Sequence, residues 1–155
     1  MSDARVLATE AVESHVRAFF EGHSVEAVGY DLGPERREVA PDLRVLVVGP
    51  GPRSDSWAYV TAGCWAAMEK DGHGLEFVMT AHVSDQRFIE LMAMIAYYHC
   101  GGHQLDLEHS MPSVNRGCRG RPAITCWSAC PISTDQTLNT VLFPGATPAS
   151  CGPCP

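Results

Sequence analysis

The fold is decided by one apolar stretch, Leu43-Arg44-Val45-Leu46-Val47-Val48, which lies between Pro41 and Gly49-Pro50-Gly51-Pro52. A run of aliphatic and β-branched residues between proline and glycine is typical of a buried strand. Residues 57–62 and residues 75–81 have the same character and are also bounded by turn residues. Because short strands joined by turns usually pair with their neighbours, these three stretches predict a mainly antiparallel or mixed sheet.

Two longer stretches place apolar side chains at helical spacing and predict amphipathic helices. The first covers residues 4–21 and ends at Gly22. The second covers residues 84–99, with Ser84 or Asp85 as its N-cap, and ends at the glycine pair that follows it. Glycine is favoured just after a helix because it adopts the left-handed conformation without strain.

The segments between these elements complete the predicted topology. A short strand is predicted over residues 25–32, a polar turn over residues 33–41, and one more strand over residues 104–108, where polar and apolar residues alternate. The order is therefore helix, strands, helix, strand. This order predicts an α+β fold in which both helices pack on the sheet.

The composition changes near Val114, and this break divides the chain. Residues 118–155 hold five of the seven cysteines, six of the eleven prolines and, with Asp135, one of the eighteen acidic residues. No helical or strand period continues through this part. We therefore expect a folded domain over residues 1–113 and an irregular or disordered tail over residues 114–155.

Charge and hydropathy argue against several classes of function. The net charge is −7, and Lys70 is the single lysine. Nucleic acids and anionic membranes both select basic surfaces, so neither is an expected partner. The N-terminus lacks the pattern of a signal peptide, and the apolar runs are too short to span a bilayer, so we expect a cytoplasmic protein. The odd cysteine count argues against a disulfide framework.

Two groups of residues leave a small zinc-binding protein open as the alternative function. Among the late cysteines, only Cys151 and Cys154 have the spacing of a zinc knuckle. His99 and His103 are four positions apart, but the glycine pair between them breaks the helix that would place them on one face. The late cysteines are Cys118, Cys126, Cys130, Cys151 and Cys154.

The sequence contains no set of residues that is typical of a catalytic site. Cys151-Gly152-Pro153-Cys154 has the letters of the thioredoxin dithiol, but no helix follows to lower a thiol pKa. Cys64 could be a nucleophile, yet nothing in the sequence pairs it with a base, and a lone cysteine is more often a small apolar core residue. We therefore expect no enzymatic activity and no cofactor.

Five segments occur in a distinctive order along residues 10–113. They are Glu13-Ser14-His15-Val16-Arg17-Ala18-Phe19-Phe20-Glu21-Gly22, the strand of residues 42–50, Tyr59-Val60-Thr61-Ala62-Gly63, Leu75-Glu76-Phe77-Val78-Met79, and Ile95-Ala96-Tyr97-Tyr98 with Gly102-His103. Their order and spacing, over about two-thirds of the chain, resemble the Suppressor of fused (SUFU) family in its bacterial branch.

The resemblance implies a non-enzymatic protein-binding module. Bacterial members of the family are similar to immunity proteins that neutralise a cognate toxin, and the acidic balance of this chain fits a basic toxin domain. The sequence does not identify the interface. Exposed aromatic or acidic residues near Trp57, Trp65 and Tyr97 are candidates for contact with a partner, although core packing is the commoner role of each.

The family pattern stops where the composition changes. The family continues with a Trp-x-Pro-Gly-Ser segment, which this chain lacks. With suitable codons, residues 116–136 read from the third base of the Arg116 codon can spell WLPGSTCDHLLVGLPHLDGP, close to what the family would supply. We hypothesise that the residues from about Val114 onward are out of frame, which the gene sequence would test. An open sheet edge and marginal stability would follow.

Overall fold

The computed structural model describes residues 2–31, 33–68, 75–103 and 105, which form four helices and one four-stranded sheet. In chain order the elements are α1 (Ser2–Phe19), β1 (Val25–Val28), α2 (Pro34–Val39), β2 (Arg44–Val48), β3 (Trp57–Ala62), α3 (Cys64–Met68), β4 (Val78–Ala81) and α4 (Gln86–Cys100). The predicted α+β fold is confirmed.

The sheet is an antiparallel meander with the strand order β1-β2-β3-β4. Its centre is β2, the stretch that predicted the fold, and Leu46 pairs with Ala27 on one side and with Val60 on the other. Within the described residues, β1 and β4 are the two edges of the sheet.

Alternate residues of β2 and β3 point to opposite faces of the sheet, and a helix covers each face. On the first face, α1 packs Val12, Val16 and Phe19 against Leu46 and Val60. On the second face, the residues of α4 pack against the other strand residues. That second cluster includes Val45, Val47, Tyr59, Met79, Met92, Ala93, Ile95 and Ala96. The continuous apolar run of β2 follows from this arrangement, because both sides of the strand are buried.

Specific polar contacts fix the position of each long helix. Glu13 of α1 accepts a hydrogen bond at 3.0 Å from Arg44 of β2, which ties the helix to the sheet. Gly22 follows α1 with a φ of 86°, as expected for the residue that ends a helix. Asp85 is the N-cap of α4, and its side chain accepts from the Arg87 amide at 2.9 Å.

Two short helices depart from the prediction. The predicted polar turn over residues 33–41 is wrong, because Pro34–Val39 forms α2. Proline is well suited to the first turn of a helix, and the Asp31 carboxylate accepts from the Gly33 amide and pairs with Arg37. The helix α3 was not predicted, since five residues are too few to show a helical period.

Some predicted elements are shorter in the structure or lie outside its described part. The strand predicted over residues 25–32 ends at Val28, and the strand predicted over residues 75–81 begins at Val78. The strand predicted over residues 104–108, apart from Leu105, and the tail of residues 114–155 lie outside the described residues. In the described part of the chain, no helix has the length and apolar content needed to cross a membrane.

Candidate functional site

An apolar groove lies between α2 and the C-terminal half of α4. Its cavity volume is about 400 Å³. The groove is lined by Val39, Leu91, Met94, Ile95, Tyr97, Tyr98, Gly101 and His103. We call this set of residues the α2/α4 groove.

The rim of the α2/α4 groove exposes large apolar side chains. Met94 is 49% exposed, Tyr98 is 46% exposed and Val39 is 36% exposed. Tyr98 stacks on His103 with ring centroids 4.3 Å apart and ring planes 10° apart, so the imidazole ring covers one face of the phenol ring. Exposed apolar side chains are normal when scattered, but those that cluster around a concavity mark a binding surface.

Acidic residues are neighbours of groove residues along α2 and α4. Glu38 is adjacent to Val39 in the chain, and Glu35 lies one helical turn before Val39. Glu90 lies one turn before Met94 and accepts a hydrogen bond from the Tyr30 hydroxyl at 2.7 Å. The three carboxylates belong to exposed residues.

Several basic side chains of the described surface are paired within the fold. Arg17 and Arg44 both contact Glu13, Arg37 contacts Asp31, and Arg87 lies 3.8 Å from Asp85. These pairs neutralise the positive charge locally. Over residues 1–113 the chain carries seventeen acidic and eight basic residues, a net charge of −9. The surface therefore has an acidic excess.

A second polar constellation is buried at the junction of β3 and α3. The Glu76 carboxylate accepts a 2.6 Å hydrogen bond from the Thr61 hydroxyl, a 2.9 Å bond from the Gly63 amide and a 3.0 Å bond from the Trp65 amide. Thr61 in turn accepts from the Phe77 amide at 2.7 Å. We call Thr61, Gly63 and Glu76 the Glu76 network.

Burial dominates the electrostatics of the Glu76 network. It raises the pKa of Glu76 to about 7, although the hydrogen bonds from Thr61 and from the amides at the start of α3 favour the charged form. Thr61 is fully buried and Glu76 is 5% exposed. Because the donors and the acceptor are enclosed and satisfy each other, the network anchors the fold rather than offering a site to a ligand.

The Glu76 network also explains two segments of the resemblance. The segment Tyr59-Val60-Thr61-Ala62-Gly63 supplies Thr61 and Gly63, and the segment Leu75-Glu76-Phe77-Val78-Met79 supplies Glu76. No local pattern predicts that these segments meet, since they are separated by more than ten residues. The one indication that the two segments are related is that both occur in the resemblance to the SUFU family.

Cys64 does not have the environment of a nucleophile. It is fully buried, and its sulfur lies 3.1 Å from the sulfur of Cys100. The contact with Cys100, burial and the neighbouring charge of Glu76 all raise the pKa of the Cys64 thiol well above its usual value. A cysteine that attacks a substrate from solution needs the opposite shift.

The two candidate zinc-binding histidines have separate environments. His99 is fully buried, accepts a hydrogen bond from the Leu105 amide at 2.9 Å through Nδ1, and packs edge-on against Phe77. His103 is exposed and stacks on Tyr98. Among the described residues, no three His, Cys, Asp or Glu side chains are grouped so that they could hold a metal. The late cysteines, from Cys118 onward, lie outside the described residues.

The three aromatic residues considered for partner contact also differ in their surroundings. Trp57 is half-buried and packs against the core cluster beneath α4. Trp65 is half-buried in α3, where its amide binds Glu76. Tyr97 is 8% exposed and lines the α2/α4 groove. Among the exposed members of the groove, Tyr98 is an aromatic residue next to Tyr97, whereas Met94 was not predicted as a contact residue.

Comparison with known proteins supports the resemblance found in the sequence. The chain is similar to a crystal structure assigned as a candidate SUFU (suppressor of fused protein) homolog from Neisseria gonorrhoeae FA 1090, with a TM-score of 0.54 and 26% sequence identity. The match covers 66% of this chain and 53% of the Neisseria chain, so this chain spans about half the length of that protein. No family model matches the sequence, and no curated protein matches it.

Proposed function

The described residues form a bacterial SUFU-like domain, and from this we propose that the chain is a non-enzymatic protein-binding module. Its partner is a basic protein segment with an apolar or aromatic anchor, held in the α2/α4 groove. The observation that carries the proposal is the exposure of Met94 and Tyr98 around an apolar concavity.

The shape and composition of the groove suit a side chain of another protein. Tyrosine and methionine are enriched at protein interfaces, because they bury a large area and adapt to the partner's shape. Residues that dominate binding energy usually fill a pocket near the centre of an interface. The α2/α4 groove provides such a pocket, and the stacked rings of Tyr98 and His103 form part of its lining.

The acidic residues near the groove favour a basic partner. The exposed carboxylates of Glu35, Glu38 and Glu90 lie next to groove residues or one helical turn away, whereas Arg37 and Arg87 are already paired with acids. An acidic surface attracts a basic partner over several ångströms and raises the association rate. Salt screens this attraction, so affinity should fall as ionic strength rises.

The local chemistry of Cys64 supports a role in binding rather than catalysis. Its thiol is enclosed, and its pKa is raised. The buried carboxylate of Glu76 is enclosed by hydrogen-bond donors of the protein itself. Neither residue is among those that line the α2/α4 groove.

We extend the proposal to an immunity function in the cytoplasm. In this function the chain binds and neutralises a cognate toxin whose active domain is basic, such as a nuclease. The bacterial SUFU resemblance and the acidic excess of residues 1–113 support this function.

The test uses the protein encoded by the gene adjacent to this one. We expect it to form a stoichiometric complex with the full chain in calorimetric titration, and to arrest growth when expressed without the chain but not with it. The Kd should rise roughly ten-fold or more between about 50 mM and about 500 mM sodium chloride. Absence of a complex, together with growth that does not depend on the chain, would refute the immunity function.

A pair of matched variants tests the groove. Met94→Asp places a charge in the α2/α4 groove and should weaken the complex roughly 30-fold or more. Val83→Asp adds the same charge at a residue that is 63% exposed and is not part of the groove, and should leave the Kd within about two-fold. Equal losses for the two variants would mean that the partner does not use the groove.

A further inference from the structure

Two cysteines meet at the junction of two helices. Cys64 is the first residue of α3, Cys100 is the last residue of α4, and both are free thiols. Their sulfurs are 3.1 Å apart although the residues are 36 positions apart in the chain. A disulfide requires its two cysteines to be close in space with converging side chains, and the contact leaves the two sulfurs only about 1 Å beyond bonding distance.

The two thiols differ in access. Cys64 is fully buried, whereas Cys100 is half-buried. An oxidant dissolved in water therefore reaches Cys100 first. Cys64 is the less accessible thiol and reacts second, as the resolving thiol. Redox-sensor cysteine pairs have this arrangement, in which a solvent-accessible thiol lies next to a resolving thiol.

We propose that Cys64 and Cys100 form an oxidative modification site, at which hydrogen peroxide converts the pair into a reversible disulfide that joins the start of α3 to the end of α4. The proposal does not depend on the identity of any protein partner.

The chemistry balances in two steps. The Cys100 thiolate attacks one peroxide oxygen, the O–O bond breaks, and the leaving hydroxide takes a proton to become water, which leaves Cys100 as a sulfenic acid. The Cys64 sulfur then attacks the Cys100 sulfur, the S–O bond breaks, and the hydroxyl leaves as water with the proton of Cys64. Two thiols thus lose two electrons and two protons, and one peroxide becomes two waters.

The cysteine pair is adjacent to both the Glu76 network and the α2/α4 groove. The Cys64 amide is one of the donors to Glu76, and Cys100 directly precedes Gly101, which lines the α2/α4 groove. The disulfide would close a loop between α3 and α4 and restrict the unfolded chain, so the oxidised protein should unfold at a higher temperature.

Tryptic mapping of the full chain can read this site directly. Cys64 lies in the peptide of residues 54–70 and Cys100 in the peptide of residues 88–116, and neither peptide contains another cysteine. After treatment of the folded protein with hydrogen peroxide and alkylation of the remaining thiols, we expect the two peptides to be joined, with a mass lower by two hydrogens than their sum. Dithiothreitol should separate them.

Two variants and one solvent control make the test specific. Cys64→Ser should trap Cys100 as a sulfenic acid that dimedone labels on the peptide of residues 88–116, and Cys100→Ser should abolish the cross-link. In about 8 M urea, peroxide should no longer form the Cys64–Cys100 disulfide in preference to other disulfides, because the fold is what brings the two cysteines together. The proposal is overturned if the folded chain joins Cys100 to cysteines beyond residue 117, or if Cys100 is oxidised further while Cys64 remains a free thiol.

Discussion

Thr61 and Glu76 form the shortest hydrogen bond of the Glu76 network, with 2.6 Å between the hydroxyl and the carboxylate. The same hydroxyl accepts from the Phe77 amide, so one threonine of β3 binds two consecutive residues of the segment that leads into β4. Gly63 and Trp65 complete the coordination of the carboxylate from the start of α3. This network joins β3, α3 and β4 in the core beneath the groove-forming helix.

The first prediction concerns the pH dependence of stability. The pKa of Glu76 is about 7 in the folded protein and 4.5 in the unfolded chain, so the folded state holds the proton more tightly. The contribution of Glu76 to the free energy of unfolding is therefore fully present below pH 4.5 and is lost as the pH rises to about 7, by about 3 kcal/mol. Glu76→Gln cannot titrate and should lack this loss.

Urea unfolding of the wild type and of Glu76→Gln between about pH 4.5 and about pH 8 measures the effect. The difference between the two proteins isolates Glu76, because other titrating groups contribute equally to both. Glu10→Gln, at an exposed position of α1, should change the free energy of unfolding by less than about 0.5 kcal/mol throughout. A wild type that gains stability relative to Glu76→Gln as the pH rises would show that the buried carboxyl is ionised.

The second prediction concerns the Thr61 hydroxyl. Thr61→Val keeps the shape of the side chain but removes the donor to Glu76 and the acceptor for the Phe77 amide. Two buried polar groups lose a partner, so the free energy of unfolding should fall by about 3 kcal/mol. Thr80→Val on β4, where the side chain is half-buried, is the matched control and should cost less than about 1 kcal/mol. Equal costs at both positions would show that the network adds no stability.

The third prediction concerns the backbone at the start of α3. Gly63 has a φ of 110°, and a Cβ atom there would lie 2.9 Å from the Asp42 carbonyl oxygen. Gly63→Ala should therefore lower the free energy of unfolding by at least about 2 kcal/mol, from backbone strain and from the clash together. At Gly29 an added Cβ meets no atom within 4 Å, so Gly29→Ala should change stability by less than about 1 kcal/mol. Thermal unfolding of the two variants compares them, and a harmless Gly63→Ala contradicts the prediction.

The strands of the sheet could be predicted because their local sequence agrees with their environment. The run Val45–Val48 is apolar at each position since both faces of β2 are covered, and proline and glycine mark its ends. Asp85 was predicted as a possible N-cap of α4 and is one in the structure. The short helix α2 was missed because a Gly-Pro start with charged residues also fits a polar turn, and the bond from the Gly33 amide to Asp31 decides between them.

The groove and the Glu76 network could not be predicted, because both depend on residues that are distant in the sequence. Val39 and Met94 line the same groove only because α2 folds against α4, and the sequence around Val39 predicts a turn. The proximity of Cys64 and Cys100 likewise depends on how α3 and α4 pack. Sequence periodicity shows which face of a helix is apolar, but it does not show which part of that face stays exposed.

Photo-cross-linking from the α2/α4 groove tests whether this groove holds a protein partner. A benzoylphenylalanine residue replaces Tyr98 in the groove of one full-length variant and Leu7, which is 63% exposed on α1, in another. With the product of the adjacent gene present, we predict cross-links to a basic segment of that protein from position 98 and few or none from position 7. Cross-links from position 98 to residues 106–155 of the same chain, to a second copy, or equally from both positions would contradict the assignment of the groove to a protein partner.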